Sequence, residues 1–237
     1  MPDTAIMLAA GLGKRMRPIT ETIPKPLVEV AGKPLIDWGL DALANADVRK
    51  SIVNVHYLAD KLTAYLANRT APQITISDER DCLLDSAGGI IKALPDLGQK
   101  PFFILNADTF WVGDAAKPNL AALANVWDDT RMDILLMTAD FSQATGFEGR
   151  GDFVADSEAR LRRARDVAGE PLIYAGVGII HPRIFAGAEP GISSLNQYFD
   201  AAIAAGRLYG MPMTGHWLTV GTPEAIGEAE AALSALV

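Results

Sequence analysis

The chain has 237 residues, of which 49% are hydrophobic and 21% charged, and its formal net charge is −8. Its length suits one domain with a substantial core, its negative charge argues against broad nucleic-acid binding, and no apolar run approaches the ~20 residues needed to span a bilayer. The one cysteine, Cys82, rules out an intrachain disulfide and is typical of a reducing cytosol, so we expect a cytoplasmic protein without a nucleic-acid or membrane partner.

The first predicted element is a buried strand over residues 5–10, because this apolar run shows no polar alternation. It ends at Gly11-Leu-Gly13, and basic residues follow: Lys14, Arg15, Arg17 and Lys25. A strand that breaks at glycines into a basic loop brings backbone N–H groups and cations onto a phosphate. Prolines on both sides of Lys25 fix the place of its ammonium group. We therefore predict a triphosphate site, although the loop lacks the complete dinucleotide and P-loop fingerprints.

The remainder of the first half predicts strands that alternate with helices. A short strand over 27–30 precedes a helix that Pro34 begins, and Pro95 is expected to end the third helix. The further predicted strands are 51–55, 74–76 and 101–105, and the predicted helices are 34–43, 60–68 and 85–94. This alternation indicates an α/β sheet that is mostly parallel.

The second half contains a polar, glycine-punctuated stretch over 146–169 between apolar segments. We predict strands over 132–137, 174–180 and 217–220, a helix over 199–205, and a closing helix to residue 236. Thr222 is expected to cap that last helix. The polar stretch is interpreted as a small substrate lobe on the same sheet rather than a separate domain.

Asp108 directly follows the predicted strand over 101–105. Ligands of open α/β sheets bind at the carboxyl ends of the strands, and Mg²⁺ takes one or two carboxylates together with phosphate and water. Asp108 is therefore a candidate magnesium ligand, and the alternative is that it caps a turn. Asn106 is a candidate for contact with ribose or phosphate, or for a bond to the loop backbone.

The string Leu8-Ala-Ala-Gly-x-Gly-x-Arg15, followed by Pro24-Lys-Pro-Leu27, resembles the signature of the sugar-1-phosphate nucleotidyltransferases. The resemblance covers residues 5 to about 232. It implies a Rossmann-like three-layer α/β/α sandwich with a mixed, mostly parallel sheet. It also implies in-line attack of a sugar 1-phosphate on the α-phosphate of a nucleoside triphosphate, with Arg15 and Lys25 as catalytic cations and Asp108 as the Mg²⁺ ligand. We expect one domain over 1–237, with a nucleotide half to about 110 and a sugar-phosphate half from about 111.

The same resemblance implies contacts of the nucleotide with a larger set of residues. These are Leu8, Ala9, Ala10, Gly11, Gly13, Lys14, Glu79, Gly88 and Asn106. In the segment that reads the base, Asp85-Ser86 replaces the family's Gly-Thr, so either Glu79 or Arg80 could occupy the reading position. A carboxylate could accept the imino proton of uracil or the N1–H and N2–H₂ of guanine, so this segment leaves the base open.

For the sugar phosphate, Gly151 matches the family's sugar-contacting glycine, and Asp152 follows it. Four arginines lie nearby, and most of them are expected on a solvated hairpin: Arg160, Arg162, Arg163 and Arg165. Arg163 is the candidate for the sugar phosphate. Thr219 stands where the family has an aspartate that is a second metal ligand, which removes one negative charge from the expected site.

The motifs at 7–18, 88–95, 149–153 and 215–217 are most similar to family members that join UTP to N-acetylmuramate 1-phosphate in peptidoglycan recycling. Guanylyltransferases that act on mannose 1-phosphate are the alternative. A non-catalytic relative that binds nucleotide sugars is a third possibility, which rests on Thr219. An NAD-dependent oxidoreductase is excluded because the second strand ends in Asn54-Val-His56 without the required acidic residue.

Overall fold

The computed structural model describes residues 1–236 and alternates strands with helices as predicted. The strands within this range are β1 (Thr4–Leu8), β2 (Glu29–Val30), β3 (Lys33–Pro34), β4 (Lys50–Val55), β5 (Gln73–Asp78), β6 (Phe102–Asn106), β7 (Thr109–Val112), β8 (Ile134–Ala139), β9 (Ala144–Thr145), β10 (Phe153–Ala155), β11 (Leu161–Arg163), β12 (Ile173–Ile180), β13 (Leu208–Pro212) and β14 (His216–Thr219). The helices are α1 (Leu35–Asn45), α2 (Ala59–Leu66), α3 (Asp85–Leu97), α4 (Asn119–Val126), α5 (Leu195–Ala204) and α6 (Glu224–Ala235).

Seven strands form the central sheet, in the order β13-β8-β12-β6-β1-β4-β5. β1 pairs in parallel with β4 and β6, and β13 pairs in parallel with β8. β12 is antiparallel to both of its neighbours, β6 and β8. The predicted mixed, mostly parallel sheet is therefore confirmed, and β1 lies near its centre.

Helices cover both faces of the sheet, because its strands are apolar on both sides. Along β1, Met7 packs in a core cluster with residues of α1, α2 and α4, whereas Ile6 packs in a cluster with residues of α3 and α5. Adjacent strand residues point to opposite faces. The expected three-layer α/β/α sandwich is confirmed.

A second, three-stranded sheet has the order β7-β14-β9. Residues of α6 pack against it in a third core cluster. That cluster includes Met16 from the loop after β1 together with Leu218 and Val220, all fully buried. The N-terminal loop is thereby fixed to an element about 200 residues later in the chain, which brings the two halves together.

Some predicted boundaries are wrong. Pro95 lies inside α3, which continues to Leu97 and ends where Gly98, at φ +82°, donates its N–H to the carbonyl of Leu94. A proline near the end of a helix removes only one of the last hydrogen bonds. The strand predicted over 27–30 shortens to β2 because a 3₁₀ turn occupies Lys25–Leu27. The closing helix begins one residue later than predicted: Pro223 occupies the N-cap position of α6, and Thr222 precedes it and accepts the N–H of Ala225 over 3.4 Å. No helix within residues 1–236 has the length and apolar character that crossing a bilayer requires.

Candidate active site

A cavity of about 510 Å³ opens at the carboxyl ends of β1, β4 and β6. Parallel strands of an open sheet gather their following loops at this edge, which is where ligands bind. The lining residues come from these loops, from the start of α3 and from the segment before α5: Leu8, Ala9, Ala10, Gly11, Lys25, Pro26, Asn54, Leu83, Asp85, Ser86, Asn106, Ala107, Asp108 and Ile192. We call it the first cavity.

The loop after β1 holds Lys25 at the edge of the first cavity. Gly13 has φ +60°, and a Cβ there would lie 2.9 Å from Cγ2 of Thr20, so this position needs glycine. The buried hydroxyl of Thr20 donates to the carbonyl of Gly13 over 2.7 Å. A Cβ at Gly13 would also lie 3.2 Å from Cβ of Lys25, so the loop packs closely beside this residue. Lys14 is exposed and lines neither this cavity nor the one described below.

Lys25 and Asp108 form an ion pair between the loop after β1 and the end of β6. Nζ of Lys25 lies 2.6 Å from Oδ2 of Asp108, and the two side chains are 12% and 36% exposed. The carbonyl of Asp108 accepts the N–H of Val220 over 3.1 Å, which ties this point to β14. A cation and a partly exposed carboxylate thus lie side by side at the mouth of the cavity.

Glu79 lies behind the wall of the first cavity and does not line it. It is 1% exposed; Oε1 accepts from Nδ2 of Asn54 over 2.7 Å, and Oε2 accepts from the N–H of Leu84 over 3.1 Å. Oδ1 of Asn54 in turn accepts the N–H of Ala9 over 2.6 Å. Because the Glu79 side chain is buried and does not line the cavity, it orients Asn54, which does. Arg80 points to the exposed carboxylates of Asp60 and Asp78 instead.

Gly88 lies beneath the cavity rather than on its surface. A Cβ at this position would come within 2.2 Å of the carbonyl oxygen of Gly191, so the segment before α5 can approach α3 only because residue 88 is glycine. The N–H groups of Ala87 and Gly88 both donate to the carbonyl of Ser193. This contact brings Ile192 to the cavity, which the sequence did not indicate.

A second cavity, of about 790 Å³, adjoins the first and shares Asn106 and Asp108 with it. It lies between the three-stranded sheet, the start of α6 and the stretch before β10. Its lining residues are Arg15, Asn106, Asp108, Thr109, Gly146, Phe147, Glu148, Gly149, Asp152, Tyr174, Trp217, Thr219, Gly221, Thr222, Glu224, Ala225 and Glu228. Among them Arg15 is the one cation beside several carboxylates.

Arg15 enters the second cavity rather than the first. Its guanidinium lies against Gly221, close enough that a Cβ there would be 3.2 Å from NH2. Among residues 1–236, no carboxylate pairs with this guanidinium. An unpaired cation in an acidic cavity is available to an anionic ligand.

Asp152 lines the second cavity as predicted, whereas Gly151 does not. Oδ2 of Asp152 accepts the N–H of Tyr174 over 2.8 Å. Burial raises the pKa of the Asp152 carboxyl above its ordinary value, and the bond from Tyr174 and the charge of Arg163 only partly oppose this. Gly151 has φ +90° and turns the chain against Pro171 just before Asp152.

Arg163, the candidate for contact with the sugar phosphate, pairs with residues of α5 and does not line the second cavity. Its Nε donates to Oδ1 of Asp200 over 2.7 Å, and NH2 donates to Asn196. Its guanidinium also lies 5.0 Å from the ring centroid of Phe153 and 5.7 Å from that of Phe199. The side chain fastens the β10–β11 hairpin to α5. None of the other predicted arginines lines the second cavity either: Arg160, Arg162 and Arg165.

Residues 4–149 match the protein family described as Nucleotidyl transferase. The chain belongs to the nucleotidyl transferase family. It is 45% identical to the N-acetylmuramate alpha-1-phosphate uridylyltransferase of Caulobacter vibrioides, with 98% of each chain covered. The protein of the same name from Neisseria meningitidis serogroup B is 35% identical, with 96% of each chain covered.

Two further comparisons place this nucleotidyltransferase among its relatives. The mannose-1-phosphate guanylyltransferase catalytic subunit beta of Drosophila pseudoobscura pseudoobscura is 27% identical; the match covers 93% of this chain and 59% of that protein. The crystal structure of UDP-glucose pyrophosphorylase complexed with UDP-glucose superposes with a TM-score of 0.82 over 100% of both chains, at 17% identity. That likeness shows the shared Rossmann-like fold.

Thr219 lies at the end of β14, opposite Thr109, and lines the second cavity together with Asp108. Within residues 1–236 of this nucleotidyltransferase, no three His, Cys, Asp or Glu side chains are grouped so that they could hold a metal ion. Thr219 occupies the place where the family pattern has a second carboxylate beside the candidate ligand Asp108. One carboxylate is enough for a Mg²⁺ ion whose other ligands are phosphate oxygens and water, so the donor set fits an ion that is shared with a triphosphate.

Proposed function

We propose that this chain transfers a uridylyl group from UTP to N-acetylmuramate α-1-phosphate, giving UDP-N-acetylmuramate and pyrophosphate, a reaction of peptidoglycan recycling. The observation that carries the proposal is the pair of cavities that share Asn106 and Asp108, with Lys25 and Arg15 on the two sides of that junction. The names of the Caulobacter and Neisseria relatives support this choice of substrates.

In this proposal UTP occupies the first cavity and the sugar phosphate occupies the second. A phosphate oxygen of the sugar attacks the α-phosphorus of UTP; the new P–O bond forms as the bond to the β-phosphate oxygen breaks, and pyrophosphate leaves. The attacking oxygen is already anionic, so no protein nucleophile is needed. Lys25 and Arg15 would stabilise the charge that develops on the α-phosphate, and the two cavities would supply the alignment.

Asp108 would hold Mg²⁺ through its carboxylate, together with triphosphate oxygens. When bound, the ion neutralises phosphate charge and orients the leaving group. The ammonium group of Lys25, which lies on Oδ2 of Asp108, would then move toward the phosphates. Thr219 would contribute at most a neutral hydroxyl.

The proposed substrates are soluble phosphates, so the reaction requires neither a membrane nor a nucleic acid, and consumption of UTP supports a cytoplasmic location. We further propose that the chain is one domain with a nucleotide half over about 1–110 and a sugar-phosphate half over about 111–237. Arg15 is an exception to this division, because it lies in the first half of the sequence but lines the second cavity.

The test is pyrophosphate release with Mg²⁺ for UTP, GTP, dTTP and CTP, each paired with N-acetylmuramate 1-phosphate, mannose 1-phosphate and glucose 1-phosphate. We expect the highest kcat/KM for UTP with the muramate phosphate. Preference for GTP with mannose 1-phosphate would favour the guanylyltransferase alternative instead. Binding of UTP without turnover of any pair would favour a non-catalytic relative, and the replacement of the second acidic ligand by Thr219 would then be the cause to examine.

A further inference from the structure

Asp85, the first residue of α3, has an unusual backbone and a free carboxylate oxygen. Its φ is +61°, a left-handed conformation that is uncommon for a residue with a side chain. Its Oδ1 accepts the N–H of Ser86 over 2.6 Å. Oδ2 has no hydrogen-bond or ion-pair partner in the part of the chain that the structure describes, and the residue lines the first cavity. The cavity therefore contains an acceptor that nothing in the fold uses.

Ser86 supplies a donor beside that acceptor. Its Oγ accepts the N–H of Leu195 over 2.9 Å, and none of the described residues accepts its hydroxyl hydrogen. Ser86 also lines the first cavity. Because the N–H of Leu195 fixes the position of Oγ, the hydroxyl hydrogen of Ser86 is free to be donated to a ligand. Asp85 and Ser86 together present one acceptor and one donor.

Ile192 provides an apolar surface in the same cavity. It is 72% exposed, yet its segment is held to the start of α3, because Ser193 donates to the carbonyl of Leu84 and accepts from Ala87 and Gly88. Leu83 lines the cavity as well. Apolar side chains beside a few polar groups are the usual surroundings of a flat, partly polar ligand such as a nucleobase.

We propose that Asp85 determines the base specificity of this enzyme by accepting the N3–H of uracil at Oδ2. In this arrangement the hydroxyl of Ser86 donates to a neighbouring uracil carbonyl, and Ile192 covers a face of the ring. The inference rests on the proposed function and names the group that reads its base. Asp85 takes the base-reading role that the sequence assigned to Glu79 or Arg80, neither of which lines the cavity.

The free oxygen of Asp85 favours uracil over cytosine. Cytosine presents a lone pair at N3, which the carboxylate repels. A polar group left unpaired in a binding site lowers affinity. Uracil, with one imino donor between two carbonyls, satisfies both side chains.

The test is Asp85→Asn, with UTP and CTP affinities measured by calorimetry. The N–H of Ser86 keeps the amide oxygen in the place of Oδ1, so the amide nitrogen replaces Oδ2 and offers a donor where uracil needs an acceptor. We expect UTP affinity to fall roughly tenfold and the ratio of CTP to UTP affinity to rise tenfold or more, as for one reversed base contact. Asparagine tolerates a positive φ, so the variant keeps its fold.

Two controls separate base reading from a structural role. Asp85→Gly places a glycine at the positive φ and removes the carboxylate that would contact the base. UTP affinity should therefore fall without a gain in CTP affinity. Asp81→Asn changes an exposed aspartate that does not line the cavity and should alter neither affinity. An unchanged ratio of CTP to UTP affinity in Asp85→Asn would overturn the inference, and so would equal loss of both. Binding of UTP by the wild-type chain without uridylyl transfer would overturn only the proposed function.

Discussion

The two cavities that share Asp108 are built in different ways. The first lies at the carboxyl ends of adjacent parallel strands, β1, β4 and β6, so its walls follow from a local pattern of strand and loop. The second is assembled from β7, β14, the stretch before β10 and the start of α6. Motifs read along the chain identify the first kind of site, whereas the second depends on pairing between distant segments.

The two cavities also differ in charge. The second cavity is lined by five carboxylates and a single basic residue, Arg15. Its carboxylates are those of Asp108, Glu148, Asp152, Glu224 and Glu228. A sugar phosphate that carries its own negative charge can bind there only if that charge is offset. In the proposed function, Arg15 and a metal ion held by Asp108 would offset it, so substrate binding and catalysis would share these residues.

Asp108→Asn is expected to have the largest effect, because this residue belongs to both cavities. We expect kcat/KM for pyrophosphate release to fall roughly 100- to 1,000-fold, by analogy with the loss of one group that stabilises transition-state charge. Binding of Mn²⁺ in the presence of UTP, measured by electron paramagnetic resonance, should weaken with it. Asp166→Asn, an exposed aspartate outside both cavities, is the control. Full activity in Asp108→Asn would refute the shared site.

Arg15→Met tests the charge balance of the second cavity. We expect kcat/KM for the sugar phosphate to fall about tenfold or more, since the only cation among the lining residues is removed. The KM for UTP should change less. Arg17→Met is a matched control, because Arg17 is exposed and lines neither cavity. Equal effects of the two substitutions would show that general surface charge, rather than a specific contact, is responsible.

Arg163→Met should affect stability rather than substrate binding. The guanidinium packs on Phe153 and Phe199 and pairs with Asp200. Its loss is expected to lower the free energy of unfolding by about 1–2 kcal/mol, with kinetic constants close to those of the wild-type chain. Urea denaturation and steady-state rates check this, and Arg162→Met is the control at an exposed neighbour. A large rise in the KM for the sugar phosphate with unchanged stability would restore the role predicted from sequence.

Asp152→Asn should alter how stability depends on pH. Because burial raises the pKa of Asp152 above its ordinary 3.8, the folded state favours the protonated carboxyl. The stability that the protonated carboxyl contributes is fully present below pH 3.8. It is lost as the pH rises through the raised pKa of the folded state. The wild-type chain should therefore lose more stability than Asp152→Asn as the pH rises above about 4. Parallel curves for the two proteins would contradict this account of the buried carboxylate.

The sequence predicted most of the central strands and helices, because apolar runs and turn residues are local signals, but it did not predict α4 or β13. It also identified Lys25 and Asp108, which directly follow such signals. It did not reveal the partners of Arg163, which lies in a polar stretch but pairs with residues of α5. The hydrogen bonds of the segment before α5 to α3 link distant parts of the chain, so Ile192 gave no local signal.

Asn54 could have been found from the sequence. It lies at the end of a predicted strand, as Asn106 does, and both line the first cavity. The resemblance to the family implied that Glu79 contacts the nucleotide, but the Glu79 side chain is 1% exposed and lies in the wall of the cavity. The fraction of a side chain that is exposed depends on packing across the sheet, which a single sequence does not reveal.

The central claim is that each cavity binds one of the two substrates. It is tested most directly by measuring both KM values in one variant of each cavity, Ile192→Ala and Glu228→Gln. Ile192→Ala should raise the KM for UTP several-fold and leave that for the sugar phosphate unchanged. Glu228→Gln should lower the KM for the sugar phosphate about two- to threefold, by removing one repelling charge, without altering that for UTP. If both substitutions changed the KM for the same substrate, the assignment of the two cavities would be wrong.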